Sequence, residues 1–241
     1  MIKLIASGDS ALSTLGYYNQ LLPQYIKSKF DIRFSDDVPL DSVEEVLVDE
    51  IYTRYDEFCP GSDDCVFDVG AQFGDYSILA AKCYSAKKVV SFEPDRRIAS
   101  LIAKNAILNN VSNVSVKNIA ISDFDGQGWL GGDGNTMRPD NGAVQSTVIF
   151  ARLDAFINDG PVDLLKIDVE GLEINVLKGG TGIIGRDRPK IIIETHRGNT
   201  KLAVIKLLGT YGYKLVHSNS KHLVFRIPGF DFVENLFFSQ R

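Results

Sequence analysis

Apolar residues follow two different spacings along the second part of this chain. From residue 64 onward, short apolar runs alternate with segments in which apolar residues recur at helical intervals. The short runs predict strands at Cys65–Val69, Lys88–Phe92, Val114–Asn118, Val162–Ile167 and Lys190–Glu194. The helical segments lie near Tyr76–Cys83, Arg96–Asn109, Leu172–Leu177 and Lys201–Tyr211. Apolar strands separated by helices predict a parallel sheet with helices on both faces.

The two ends of the chain carry different patterns. Tyr213–His217 and His222–Ile227 predict an antiparallel hairpin with a tight connection at 218–221. Near the start, Asp41–Phe58 has helical spacing, and a shorter helix over Ser10–Lys27 is expected to break at Pro23. We therefore predict a helical N-terminal appendage over residues 1–60 and a main domain over residues 61–241.

The segment 122–150 is rich in glycine and has no clear periodicity. It precedes the fourth predicted strand, so we expect an irregular excursion over the strand ends, with a β-ribbon over Ser146–Ala151. Long loops of this kind serve as lids or binding loops, or they are mobile insertions. Both alternatives stay open.

A glycine turn follows the first predicted strand, and an acid ends the second. Gly70 and Gly74 let the backbone turn tightly and approach a ligand. Asp68, at the strand end, suits a cationic part of that ligand, and Glu93 can accept hydrogen bonds from both hydroxyls of a ribose. The separation of Asp68 and Glu93 therefore predicts a nucleotide-type ligand. Ala120, near the end of the third strand, would offer apolar contact to an adenine.

A second group of polar residues follows the fourth and fifth predicted strands. Asp168 and Glu194 come at neighbouring strand ends, where open α/β sheets bind ligands, and His196 follows closely. In one design, His196 is the general base for a hydroxyl group. In the other, Asp168 and Glu194 hold Mg²⁺, which binds and acidifies that hydroxyl. The third alternative is that these residues have a structural role and take no part in catalysis.

Four motifs together resemble the FkbM family of methyltransferases. They are Asp-Val-Gly-Ala at 68–71, Phe-Glu-Pro at 92–94, Lys-Ile-Asp-Val-Glu-Gly at 166–171, and the segment from Pro189 to Glu194. The resemblance covers roughly residues 64 to 196. It implies S-adenosylmethionine as the methyl donor, a hydroxyl oxygen as the acceptor, and a Rossmann-like class I methyltransferase fold with a mostly parallel seven-stranded sheet. Gln72 stands where the family commonly has Asn, so its contact with the cofactor would differ.

Composition narrows the alternatives. The formal net charge of −5 and the absence of a base-clamping motif argue against an RNA methyltransferase. The glycine spacing is not the Gly-x-Gly-x-x-Gly of nicotinamide-dependent oxidoreductases. The alternative that the chain is a cofactor-binding module without catalysis stays open.

The three cysteines predict a reducing compartment, and no apolar run suits a membrane span. We expect a cytoplasmic enzyme that methylates a small molecule or a sugar; its oligomeric state and its acceptor are not encoded in any motif.

Overall fold

The computed structural model describes residues 11–129, 147–195, 198–220 and 233–240. The strands in these ranges are β1 Cys65–Val69, β2 Lys88–Phe92, β3 Val114–Lys117, β4 Ala120–Ser122, β5 Gly126–Trp129, β6 Thr147–Arg152, β7 Leu164–Ile167, β8 Lys190–Thr195, β9 Lys214–Ser220 and β10 Glu234–Ser239. The α-helices are α1 Ala11–Phe30, α2 Leu40–Leu47, α3 Asp75–Lys82, α4 Arg96–Leu108, α5 Glu173–Gly179, α6 Thr181–Asp187 and α7 Gly198–Thr210. Short 3₁₀ helices lie at Asp56–Phe58 and Leu153–Asp159.

The main sheet has seven strands in the order β3-β2-β1-β7-β8-β10-β9. The first five in this order are parallel, whereas β10 runs antiparallel to both β8 and β9. This arrangement confirms the predicted mostly parallel seven-stranded sheet with a C-terminal antiparallel pair. Its strand order puts the carboxyl ends of β1, β2, β7 and β8 side by side.

Alternation along the strands explains why helices cover both faces. Adjacent residues of a strand point to opposite sides of the sheet. Val66 and Leu164 therefore join one core, with side chains from α1, α2 and α3. Phe67 and Leu165 join a second core on the other face, with side chains from α5, α6 and α7. Both faces are apolar because both are buried.

The N-terminal segment contributes to the first of these cores. Leu22, Ile26, Val43, Leu47 and Phe58 are each at most 2% exposed and belong to the same cluster as Val66 and Leu164. The boundary predicted between residues 60 and 61 therefore falls between two parts of the chain that share a hydrophobic core. Burial of this segment against the sheet gives it a share in the stability of the domain.

Both N-terminal helices differ from the prediction. The expected break at Pro23 is wrong, because α1 continues through it to Phe30. Proline removes one backbone donor and bends a helix without always ending it. The helix predicted over 41–58 ends at Leu47, and Glu50 then adopts the left-handed conformation with φ 54°. A helix cannot continue through that conformation.

Two further predictions can be compared with the structure. One concerns the segment between β4 and β7, and the other concerns the C-terminal pair of strands. β6 pairs antiparallel with β5 and parallel with β4, so the ribbon predicted near Ser146–Ala151 is confirmed within a three-stranded sheet. The tight connection predicted at 218–221 is wrong for its first three residues, which continue β9. The partner of β9 is Glu234–Ser239, whereas the strand predicted at 222–227 lies outside the described residues.

Candidate functional site

A pocket of about 360 Å³ opens at the carboxyl ends of the parallel strands. Residues at or just after the carboxyl ends of β1, β2, β7 and β8 line it, and α2 with the segment that follows closes one side. Small-ligand pockets usually enclose several hundred cubic ångströms and occur at this edge of open α/β sheets. The pocket therefore lies where the glycine turn and the strand-end acids predict a ligand.

The glycine turn has the conformation that its sequence predicts. Gly70 and Gly74 have φ of 76° and 79°, which favours glycine, and Gln72 also lies in the left-handed region at φ 47°. The space beside the two glycines is filled by the protein itself. A Cβ on Gly70 would lie 1.7 Å from the Asp168 carbonyl oxygen, and one on Gly74 would lie 2.7 Å from Ile102 Cγ2. Gly70 and Gln72 line the pocket; Gly74 lies behind the turn.

Asp68 is fully buried and does not line the pocket. Its register neighbours in β2 and β7 are Ser91 and Lys166. Lys166 Nζ lies 3.1 Å from Asp68 Oδ1, and Ser77 Oγ donates to Asp68 Oδ2 at 2.6 Å. The same ammonium donates to the Gly70 carbonyl at 2.9 Å. Asp68 therefore acts on the pocket through Lys166, which it fixes beneath the glycine turn.

Glu93 directly follows β2, lines the pocket and is 7% exposed. Its Oε2 accepts a hydrogen bond from the Gln72 backbone N–H at 3.0 Å, and its Oε1 accepts one from the Asp95 N–H at 2.8 Å. Burial raises the pKa of Glu93 to about 7, against the lowering effect of these two N–H groups. Each oxygen still has acceptor capacity for a ligand hydroxyl.

Apolar side chains from the start of β4 also line the pocket. Ala120 begins β4 and is 2% exposed, between the pocket-lining residues Ile119 and Ile121. Asn118 supports this wall by donating from Nδ2 to the carbonyl oxygens of Glu93 and Pro94, at 2.9 and 2.8 Å. A flat apolar ligand group would find hydrophobic contact here.

Asp168 and Glu194 meet at a single hydroxyl group, as their neighbouring strands predict. The Tyr52 hydroxyl oxygen lies 2.9 Å from Asp168 Oδ2 and 3.0 Å from Glu194 Oε2, so its one proton can be donated to either carboxylate. Burial, together with the charges of Asp168 and Glu194, holds the pKa of Tyr52 well above its usual range. The phenol therefore stays protonated as a donor. His196 lies outside the described residues, so its predicted role as a base stays a prediction.

Two further polar residues of the pocket carry no motif that sequence reasoning could use. Asp75 is the first residue of α3, and a negative charge is favourable at a helix N-terminus. Its carboxylate accepts a hydrogen bond from the hydroxyl of Ser42, and Ser42 Oγ also lies 3.2 Å from Gln72 Oε1. Burial raises the pKa of Asp75 to about 6, opposed by the Ser42 hydrogen bond and the charge of Lys166. Ser42 thus joins α2 to the glycine turn.

Acidic side chains predominate among the described residues that line the pocket. The carboxylates among its lining residues are Asp41, Glu45, Asp75, Glu93, Asp168, Glu170 and Glu194. Lys166 is the cation among the same residues, and it is paired with Asp68. Such a pocket attracts cationic groups and hydrogen-bond donors and repels phosphate.

Magnesium receives no support from the described residues. Within them, no group of three or more His, Cys, Asp or Glu side chains is placed to hold a metal ion. Asp168 and Glu194 instead share the Tyr52 hydroxyl as a hydrogen-bond donor.

Across the same described ranges, no helix combines the length and apolar character that crossing a bilayer requires.

Comparison with known protein families gives a match that covers more than half of the chain. The family model of the methyltransferase FkbM domain matches residues 68–215, which include the glycine turn, Glu93, Asp168 and Glu194. Among curated proteins, Methyltransferase 1 of Beauveria bassiana is 27% identical over 164 residues. That alignment covers 56% of this chain and 64% of the relative, so the chain spans less than two thirds of the relative's length.

Solved structures agree on the architecture. The methyltransferase FkbM of Methylobacillus flagellatus KT superposes with a TM-score of 0.57 at 18% identity, over 92% of this chain and 52% of that protein. The ribosomal protein L11 methylase of Lactobacillus delbrueckii subsp. bulgaricus superposes with a TM-score of 0.51 at 14% identity, over 86% of this chain and 84% of that protein. At such identities the likeness concerns the fold, which hosts different acceptors.

Proposed function

Because the chain belongs to the FkbM family of methyltransferases, we propose that it is an S-adenosylmethionine-dependent methyltransferase acting on a hydroxyl group of a small molecule or sugar. The observation that carries this proposal is the buried Glu93 carboxylate, which faces the pocket beside the glycine turn. A carboxylate at the end of the second strand is the group that receives ribose hydroxyls in nucleotide-binding α/β folds.

The pocket residues suit the donor at each of its ends. Glu93 would accept hydrogen bonds from the ribose hydroxyls, and Ala120 with its apolar neighbours would contact the adenine. Gly70 and Gln72 would contact the methionine end, close to Asp75. The negative charge of the pocket favours the sulfonium and ammonium groups of this donor. Asp68 would contribute indirectly, by holding Lys166 beneath the turn.

Asp168 and Glu194 would act on the acceptor. When bound, S-adenosylmethionine supplies an electrophilic methyl group. The chain's own part is to hold the acceptor hydroxyl in line with that group and to receive its proton, for which a carboxylate of Asp168 or Glu194 is placed at the pocket wall. His196, two residues beyond Glu194, stays a candidate base on sequence grounds alone.

The negative pocket also supports the acceptor class. A phosphate-rich acceptor such as RNA would bring its own negative charge to a wall of carboxylates, at a cost that nucleic-acid sites avoid with lysine and arginine. A neutral hydroxyl compound brings donors that these carboxylates accept. Small-molecule or sugar hydroxyls therefore fit this pocket better than nucleic acid does.

Calorimetric titration with S-adenosylmethionine, and separately with NAD⁺, tests the donor. We expect S-adenosylmethionine to bind and NAD⁺ to give no heat. Glu93→Ala should weaken donor binding, whereas Asp168→Ala should leave it nearly unchanged and reduce methyl transfer to a panel of sugars and hydroxylated small molecules, followed by mass spectrometry. Glu57→Ala is the matched control, since Glu57 lies outside the pocket. Equal loss of donor affinity in both pocket variants would contradict this division of roles.

A further inference from the structure

Tyr52 lies outside the stretch that matches the family, yet it reaches both acids at the acceptor side of the pocket. The family match begins at residue 68, whereas Tyr52 follows α2 in the N-terminal segment. Its side chain is 3% exposed and lines the pocket. The distances of 2.9 and 3.0 Å from its hydroxyl to Asp168 and Glu194 are those of good hydrogen bonds.

The ring of Tyr52 is fixed from several sides. Lys166 Nζ lies 5.1 Å from its centroid, and the ring of Tyr76 meets it edge to face at 5.5 Å. The preceding residue is anchored as well, because Asn219 Nδ2 in β9 donates to the Ile51 carbonyl at 3.2 Å. The hydroxyl therefore has one direction, toward the ends of β7 and β8.

We propose that Tyr52 is a positioning residue for methyl transfer, whose hydroxyl holds the carboxylates of Asp168 and Glu194 toward the acceptor end of the pocket. This inference rests on the proposed function. Two carboxylates at neighbouring strand ends repel each other, and a common donor between them offsets that repulsion. Without the hydroxyl, the two side chains lose a hydrogen-bond donor that helps to set their direction relative to the bound donor.

Two donor analogues separate this role from a general effect on the pocket. S-adenosylhomocysteine lacks the transferred methyl group, whereas sinefungin carries an amine where that methyl group would be. An ammonium group directed at the acceptor end should gain from correctly placed carboxylates, while S-adenosylhomocysteine should not. The ratio of the two dissociation constants therefore reports on the placement of Asp168 and Glu194, without requiring the natural acceptor.

The experiment is calorimetric titration of the full chain and its variants with both analogues. Tyr52→Phe keeps the ring and removes the hydroxyl. We expect it to weaken sinefungin binding about tenfold, as loss of a charge-assisted arrangement predicts, and to change S-adenosylhomocysteine binding less than about threefold. Tyr55→Phe is the matched control, since Tyr55 stacks on His217 outside the pocket; it should change neither affinity.

A double variant and the titrations of the unaltered protein distinguish the possible causes of each result. Tyr52→Phe should add little to the sinefungin loss of Glu194→Gln, because both remove the same arrangement. Equal weakening of both analogues, or of neither, in Tyr52→Phe would overturn the positioning role while leaving the donor proposal intact. If the unaltered protein bound neither analogue, the proposed function itself would fall, and this inference with it. Thermal unfolding of each variant verifies that it is folded during titration.

Discussion

Glu93 shows how one side chain can couple ligand binding to proton release. Its carboxylate is held by two backbone N–H groups, but burial outweighs them and raises its pKa to about 7. A ribose presents hydroxyl donors, which bond more strongly to the ionised carboxylate than to the neutral acid. The donor should therefore favour ionised Glu93 and displace its proton on binding.

We expect the affinity for S-adenosylmethionine to rise with pH between pH 6 and pH 8. The carboxyl is mostly protonated below its pKa of about 7 and mostly ionised above it, so the ionised fraction and the affinity should increase about tenfold over this range. Calorimetry at several pH values, in buffers of different ionisation enthalpy, measures both the affinity and the released proton. Glu93→Gln should bind more weakly and lose most of this dependence; an unchanged pH profile would contradict the assignment.

Among the structural elements, the turn between β1 and α3 depends on its fit against the end of β7. Gly70 accepts a positive φ and leaves room for the main chain of Asp168, while its N–H donates to the Phe92 carbonyl at 3.0 Å. The turn is therefore held against both neighbouring strand ends. Its shape is supported by packing of backbone on backbone.

Gly70→Ala should destabilise the protein strongly. The added Cβ would lie 1.7 Å from the Asp168 carbonyl oxygen, so one strand end must move, and the left-handed conformation adds about 1–2 kcal/mol. We expect a total loss in the free energy of unfolding of at least about 3 kcal/mol, measured by denaturant titration. Gly185→Ala in α6 is the control, because a Cβ there meets nothing within 4 Å; it should be neutral or stabilise by about 0.5–1 kcal/mol.

The sequence predicted these elements best where local pattern and global fold agree. The five parallel strands and the acids at their ends follow from short apolar runs and motif spacing, because such strands are buried on both faces. The partner of Asp68 could not be found in this way. Lys166 lies in a different strand, and only the register of β1 with β7 brings the two side chains together.

The contribution of the N-terminal segment to the pocket cannot be predicted from the sequence either. Tyr52 and Ser42 have no motif, and they reach the pocket through packing that local sequence does not encode. The strand partner of β9 differs from the predicted one for a similar reason. Pairing in an antiparallel sheet is decided by register and by the neighbouring β8, whereas the sequence offered a nearer apolar run.

At the scale of the whole molecule, the sheet and the N-terminal segment bury a common core. The ring of Phe58 meets that of Phe237 in β10 at a centroid distance of 5.2 Å, so the core joins the N-terminal segment to a C-terminal strand. Contacts between distant parts of a chain favour cooperative unfolding. The described part of the segment should then unfold together with the sheet and not before it.

Phe58→Ala should therefore destabilise the whole fold. Phe58 is 1% exposed, and truncation of a buried phenylalanine costs about 3–5 kcal/mol. We expect circular dichroism and tryptophan fluorescence to report one common transition at a lower denaturant concentration. Leu202→Ala is the control, since Leu202 is 69% exposed. A separate early transition that involves only helical signal would show that residues 11–60 unfold independently of the sheet.

The contact between Gly70 and the main chain of Asp168 has a thermodynamic consequence. One residue lines the proposed donor site and the other the proposed acceptor site, and their backbones share a boundary that leaves no room for a methyl group. A shift of either loop must move the other, so occupancy of one site should alter the affinity of the other. Linkage makes such cooperativity reciprocal: the factor by which the donor tightens acceptor binding equals the factor by which the acceptor tightens donor binding.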